Sequence, residues 1–292
     1  MDWTTALSAS VNWIEAHLLE GITAQNAAEQ VYISPLYLQK GFQILTGWTI
    51  TEYIRNRRLY LAALEVRDTE ERIIDIAYKY GYDTPESFTK AFSRFHGVSP
   101  MQMRRDRSAP KVFLPLKISI VIQGGNRMDF TVTHIPAFKV IGFSREFSFE
   151  SSYKDIPAFW DEMNARFSEG SSDPCMAAVE KYHIGEFGVC IDDVGGKSFR
   201  YMIAGKYDGG EIPAGMEVFY IPACDWAKFK CIGALRPQPT ALQSLNTQIF
   251  RDWLPNNPEY EIAAGLNLEW YSAGDTASDN YESGIWLPVK RK

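Results

Sequence analysis

Along residues 22–107 the apolar positions recur at the spacing of helices buried on one face. Ile73, Ile76, Ala77 and Tyr80 form one such face, and Gly81 follows where a helix would stop. Phe88, Ala91, Phe92 and Phe95 form the next, behind Thr84 as an N-cap and Pro85 as a first helical residue. The same layout occurs fifty residues earlier without a gap. Ala27 matches Ala77, Tyr32 matches Tyr82, Ser34-Pro35 matches Thr84-Pro85, Phe42 matches Phe92, Gly47 matches Gly97 and Arg55 matches Arg105. A repeated unit of helix, tight turn and helix accounts for this register. Between the two units, residues 51–66 read as one connecting helix, with Ile54, Leu61 and Leu64 on its apolar side.

After Met128 the period changes from 3.6 to 2. The segments MDFTVTHIP, FKVIGFSREF, EFGVCID, SFRYMIAGKY, WAKFKCIG, LNLEWYS and ESGIWLPVK read as strands. Two amphipathic helices interrupt them, near residues 153–168 and 239–253. The order strand, helix, strands occurs twice, which predicts an α+β domain with both helices on one face of an antiparallel sheet. Pro110, Pro115 and Gly124-Gly125 mark a linker, with one short strand over 117–122. The expected division is a helical domain at 1–107, a linker at 108–127 and an α+β domain at 128–292.

Charge sharpens that division. Residues 1–127 carry 15 Lys and Arg against 13 Asp and Glu, and residues 128–292 carry 15 against 23. The whole chain of 292 residues is at −6. A first half at only +2 must bind nucleic acid, if at all, through locally placed cations. No apolar run is long enough to span a membrane, and Met1-Asp2-Trp3-Thr4 has no export signal, so a cytoplasmic protein is expected. The four cysteines form no CxxC pair and have no histidine cluster nearby. Free thiols are expected, with neither a metal nor a cofactor.

The repeated unit suits a helix-turn-helix, whose second helix leaves its non-core face free to enter a major groove. That face would be Leu36, Gln39, Lys40 and Gln43 on the first such helix. On the second it would be Pro85, Glu86, Thr89, Lys90 and Arg94. Residues 22–107 resemble the AraC/XylS DNA-binding domain. RIIDIAYKYGYDTPESFTKAFSRFHGVSPMQMRR matches that family's signature, and RNRRLYLAALEV its linker helix. The resemblance implies double-stranded DNA as a partner, with two recognition helices in successive major grooves. RNA polymerase is a further candidate partner. The resemblance also makes Arg55, Arg57, Arg58, Arg94 and Arg104 phosphate-contact candidates. Two positions depart from the pattern: Val31 stands at the usual turn glycine, and Met103 where tyrosine is common.

Residues 128–292 resemble the GyrI-like effector-binding domain found behind AraC-type heads. The matching stretches are IPAFKVIGFS, FGVCIDD, FRDWLPNNPEYEIAAGLNLEWY and IWLPVK. The fold class expected for the chain is therefore multidomain: an all-α double helix-turn-helix domain, then an α+β GyrI-like domain. The resemblance implies a groove for a small, often cationic and amphipathic effector. Phe159, Trp160, Phe187, Tyr220, Trp226, Trp270, Tyr271 and Trp286 crowd the segments that would flank it, and aromatic faces attract cations. Glu269, at the family position, and Glu282 are the candidate countercharges. Strand alternation puts Glu269 and Tyr271 on one side. Two other roles fit the same half, a protein-interaction module and a small-molecule hydrolase. No nucleophile–base pair is visible for the second, since His17, His96, His134 and His183 stand in separate contexts.

Overall fold

The computed structural model describes residues 3–118, 128–168, 170–192, 198–237 and 239–292. It divides into two compact units, one of residues 3–33 and 46–118 and one of residues 34–45 and 128–292. Residues 119–122 of the strand expected over 117–122, and the Gly124-Gly125 pair, lie outside the described residues, and residues 117 and 118 carry no strand.

The first unit is helical: α1 (Trp3–Ala16), α2 (Ala24–Gln30), α4 (Ile50–Asp68), α5 (Ile73–Lys79), α6 (Pro85–His96) and α7 (Pro100–Asp106). Helix α3 (Pro35–Thr46) falls almost wholly in the second unit. Local chemistry sets the helix ends. Thr49 and Glu52 cap α4 reciprocally, the Thr84 hydroxyl accepts from the Ser87 N–H at 3.1 Å, and Gly97 closes α6 at φ 82°. The connecting helix buries Leu59, Ala62, Ala63 and Val66. Leu61 and Leu64, expected on that face, are only half-buried, because the face is set by the partners Ile76, Ala77, Phe88, Phe92 and Met103.

The two turns differ at the Val31 departure. In the second sequence repeat Gly81 is left-handed and the Tyr82 N–H reaches the Ala77 carbonyl. In the first, Val31 stays at φ −109° and Tyr32 takes the left-handed position at φ 55°. The closing bond then runs from Ile33 to Ala28, one residue later. A β-branched side chain disfavours positive φ, so the turn moved along the chain instead. Residues 108–118, expected as linker, carry no helix or strand but are pinned to the helices. The Phe113 carbonyl accepts from Arg57, and its ring packs edge-on to Trp48 and Phe95.

The second unit is a nine-stranded antiparallel sheet with two main helices, α8 (Ser152–Arg166) and α10 (Ala241–Gln248), the latter continued by a π-helical turn over Ile249–Trp253. The strands are β1 (Phe130–Ile135), β2 (Phe138–Ser148), β3 (Phe187–Ile191), β4 (Ser198–Tyr207), β5 (Glu217–Ile221), β6 (Cys224–Ile232), β7 (Tyr260–Ile262), β8 (Leu266–Tyr271) and β9 (Glu282–Arg291). Strands β5 and β7 and the short helix α9 (Met176–Lys181) were not anticipated from the sequence. The sheet order is β1-β6-β9-β8-β3-β4-β2-β5, with β7 added beside β9. Each half reads strand, strand, helix, strand, strand. The leading strand of each half, β1 or β5, pairs with the second strand of the other half, β6 or β2.

Register assigns the faces. Ile141, Phe143 and Phe147 of β2 share a face with Phe199, Tyr201 and Ile203 of β4, and α8 covers them with Phe159 and Met163. Gly188 and Cys190 of β3 continue that face, as do Asn267 and Glu269 of β8 and Ile285 of β9. The opposite face buries Val140, Val189, Met202, Trp226 and Leu268.

Candidate functional site

A cavity of about 1550 Å³ opens on the helix-bearing face, over the β3–β8 seam. Tyr153, Ile156, Pro157 and Trp160 of α8 form one wall, and Leu242, Gln243 and Asn246 of α10 the other. Loops 183–186, 235–237 and 272–274 border one end. Lys40, Gln43 and Ile44 of α3 border it as well.

The floor is a polar cluster. The Tyr201 hydroxyl donates to Glu269 Oε2 at 2.7 Å, the Tyr271 hydroxyl donates to the same oxygen at 3.0 Å, and Trp160 Nε1 donates to the Tyr201 oxygen at 3.0 Å. The Trp160 and Tyr271 rings meet edge-on at 5.1 Å. Burial, then the Glu269 charge, pushes the Tyr201 and Tyr271 hydroxyls well above the usual tyrosine range, so both remain donors at neutral pH. Gly188, directly across from Glu269, makes this possible. A Cβ there would lie 2.1 Å from the Tyr201 oxygen and 2.8 Å from Glu269 Oε2. Beside the cluster, burial raises the Cys190 thiol to about 11, so it is a neutral wall and not a nucleophile.

Strand alternation thus brings Glu269 and Tyr271 together, and α8 adds Trp160. Other expected groove residues lie elsewhere. Phe187, Trp226 and Trp286 point to the opposite face, where Phe187 and Trp286 stack edge-on at 5.8 Å and Trp226 is fully buried. They are core residues, because β6 and β9 cross the sheet one residue out of phase with the Glu269 face. Tyr220, on the edge strand β5, is 58% exposed. Glu282 pairs with Lys230 at 2.7 Å and does not border the cavity. Tyr201, the central ring of the cluster, has no local sequence signal, because only the pairing of β4 with β3 and of β3 with β8 brings it beside Glu269.

The expected DNA contacts divide in a similar way. Glu86, Lys90 and Arg94 of α6 are exposed, with Pro85 and Thr89 half-exposed between them, so this helix presents its polar face to solvent. Arg55 is exposed and 3.9 Å from Glu52. Three arginines are structural instead. Arg57 is buried and grips Glu15 through Nε and a terminal nitrogen, each at 2.8 Å. Arg58 donates to the Leu18 carbonyl at 2.6 Å, and Arg104 to the Val66 carbonyl at 3.0 Å and the Glu71 carbonyl at 2.6 Å. Arg58 and Arg104 thus satisfy carbonyls at or just beyond helix ends and Arg57 is held in an ion pair, which removes all three from the exposed phosphate-contact candidates. On α3, Leu36 and Gln39 are 0% and 2% exposed, and Lys40 is engaged by the sheet.

The profile of the GyrI-like small molecule binding domain matches residues 128–290. The chain belongs to the GyrI-like family. A helix-turn-helix profile matches residues 27–106. The Tn10 TetD protein of Escherichia coli is 36% identical over 104 residues, 36% of this chain and 75% of its own. The regulatory protein SoxS of Salmonella typhimurium is 38% identical over 94 residues, 32% of this chain and 88% of its own. The Right origin-binding protein of Escherichia coli K12 is 31% identical over 169 residues, 57% of this chain and 56% of its own. A solved structure, SAV2435 bound to tetraphenylphosphonium, aligns with 56% of this chain and 94% of its own at 20% identity and a TM-score of 0.44, too loose to bear on the site. The GyrI-like domain thus follows an AraC/XylS-type DNA-binding region, and the chain is a DNA-binding transcription regulator with a small-molecule domain. Among the described residues no helix is long and apolar enough to cross a membrane.

Proposed function

We propose that the GyrI-like groove takes a bulky organic cation, with Glu269 as its countercharge, Trp160 and Tyr271 as aromatic walls, and the buried Tyr201 holding the carboxylate from beneath. One observation carries this reading. A carboxylate sits at the floor of an open, ring-lined cavity, bonded to two tyrosine hydroxyls and, among the described residues, paired with no basic side chain. The two O–H donors satisfy a carboxylate oxygen but carry no formal charge of their own. A ligand cation supplies the missing charge and adds ring contacts of about 0.5–2 kcal/mol each. On the DNA side, the exposed Lys90 and Arg94 of α6 are the cations that would meet phosphate, with the exposed Arg55 of α4 beside Glu52 as a further candidate. The same reading places the chain in the cytoplasm, with RNA polymerase as the partner of its DNA-bound form. A protein-docking role draws less support, because the groove is open and not filled. A hydrolase role draws less as well, because the thiol bordering the groove is held protonated.

Calorimetric titration of the full chain tests this, using tetraphenylphosphonium against neutral triphenylphosphine oxide. The wild type should prefer the cation, and Glu269→Gln should abolish the preference while leaving weak apolar binding of both. Equal affinities for the two ligands in both proteins would remove Glu269 from the role of countercharge.

A further inference from the structure

Helix α3 has the sequence of a DNA-reading helix, yet it lies on the groove face of the sheet. The Ser34 hydroxyl and the Leu36 N–H, the latter at 3.0 Å, both donate to the Asp192 carboxylate just beyond β3. The Tyr37 hydroxyl donates to the Leu266 carbonyl at 2.7 Å, and its ring lies 6.3 Å from that of Phe250. The Lys40 ammonium donates to Asn267 Oδ1 at 3.1 Å and lies 3.3 Å from Cys190 Sγ. Leu36 is fully buried in the cluster that holds Ile141, Phe159 and Phe199.

Each of these contacts occupies a group that DNA would use. Asp192 takes the helix N-terminus, where a phosphate would bind. Leu36 and Gln39 are out of reach of any base edge. Lys40 is spent on the sheet.

Lys40 also stands in a telling place. Cys190 and Asn267 are next along the same face from Gly188 and Glu269, so the ammonium enters the groove one strand step, about 7 Å, from the carboxylate cluster. Lys40, Gln43 and Ile44 border the cavity together with Glu269.

We propose that α3 docks at the rim of the effector groove, with Lys40 held where an incoming cation's charge must settle, so that cation binding and α3 docking oppose one another. An organic cation at Glu269 repels the Lys40 ammonium beside it and takes over the field that steadied it. The released helix regains Leu36, Gln39 and Lys40 for DNA. Linkage makes the effect reciprocal: the cation tightens DNA binding by the factor by which DNA tightens cation binding. The proposal rests on the groove being the effector site, but its docking half stands without a ligand.

The experiment uses the full chain, a fluorescent duplex recovered by binding-site selection with that chain, and tetraphenylphosphonium. Anisotropy titration should show DNA binding roughly ten-fold tighter with saturating tetraphenylphosphonium, within the usual range of allosteric coupling. Asp192→Ala, which cuts the N-terminal tether, should tighten DNA binding by a similar factor with no ligand present and respond little to the cation. Tyr37→Phe should do the same more weakly. Amides of residues 35–45 should exchange slowly in the wild type and faster in both variants. A gain of DNA affinity is something a misfolded variant does not produce. DNA binding that weakens or stays constant when calorimetry shows the cation bound would overturn the competition. Asp192→Ala and Tyr37→Phe with unchanged DNA affinity and unchanged exchange would overturn the docking. Should the cation fail to bind, the competition falls with the effector reading, and the Asp192 and Tyr37 arms still decide the docking.

Discussion

Helices α3 and α6 are the same element written twice, and the protein treats them oppositely. Both run twelve residues from a proline behind a hydroxyl residue. On α6 only Phe88 and Phe92 are buried. On α3, Leu36, Tyr37, Leu38, Gln39, Gly41 and Phe42 all are. A helix buried around most of its girth is an interior helix, and one buried along a single stripe is a surface reader. The lesson is that motif residues specify what a helix can do, while its surroundings specify what it is free to do. Lys40 and Lys90 are equivalent in sequence. One is tethered to Asn267, and the other points into water.

The largest test of this contrast is steric. Leu36 and Glu86 occupy the same motif position. Leu36→Ala should destabilise the sheet-bearing unit by about 2–5 kcal/mol, as expected for emptying a fully buried site. Glu86→Ala should change stability by no more than about 0.5 kcal/mol. Urea unfolding followed by tryptophan fluorescence reads both. Similar small effects would mean that α3 spends little time against the sheet.

A second pair probes the two turns that precede these helices. Tyr32 is 93% exposed and left-handed, so its side chain contributes strain and few contacts. Tyr32→Gly should stabilise the helical unit by about 1 kcal/mol. The counterpart Gly81→Ala should destabilise it by about as much, since φ is 82° and the new Cβ would meet the Arg58 guanidinium at 3.0 Å. Thermal unfolding of the two variants should move in opposite directions.

The smallest effect separates the helix ends by pH. His96 closes α6, and Thr46, which does not titrate, closes α3. His96 Nε2 faces the Leu59 carbonyl at 3.0 Å, and Nδ1 accepts the Lys111 N–H at 3.1 Å, so the ring is held neutral. Burial pushes its pKa below the usual 6.5, and the unfolded chain therefore binds the proton more readily. The stability this provides is fully present above about pH 6.5 and is lost as pH falls through the lowered value. Amide exchange, corrected for intrinsic rate, should show α6 losing protection between pH 7.5 and 5.5. His96→Gln should flatten that loss, and α3 should not follow it.

How far the sequence reached depends on what each signal encodes. Helical periodicity with capping residues located α5, α6 and the connecting helix, because both are local. Alternation paired Glu269 with Tyr271, since parity within one strand is also local. It could not say which parity faces the groove on a different strand, and so Trp226 and Trp286 were misplaced; only register across β6, β9 and β8 decides that. Five-residue β5 and three-residue β7 carry too little pattern to stand out from loops. The arginine series illustrates the same limit. A guanidinium suits a phosphate and a helix-end carbonyl equally well, and the identity of Arg57 does not announce Glu15 forty-two positions away. Nor could any motif announce that Asp192 would cap a helix starting near residue 35.

The seam between β3 and β8 has a further meaning. The two halves of the sheet exchange their leading strands, and the pairs Phe187–Trp270, Gly188–Glu269, Val189–Leu268, Cys190–Asn267 and Ile191–Leu266 straddle its middle. A half-turn about the central pair, Val189–Leu268, carries Gly188 onto Asn267 and Cys190 onto Glu269. Under strict symmetry such an axis would present two copies of one group to anything lying on it. Here one half yields the thiol of Cys190 and the other the carboxylate of Glu269, and Gly188 opposite that carboxylate leaves the volume that Tyr201 fills. A duplicated architecture has become directional at its centre. A guest seated there meets a charged side and a yielding side, and has one way to lie.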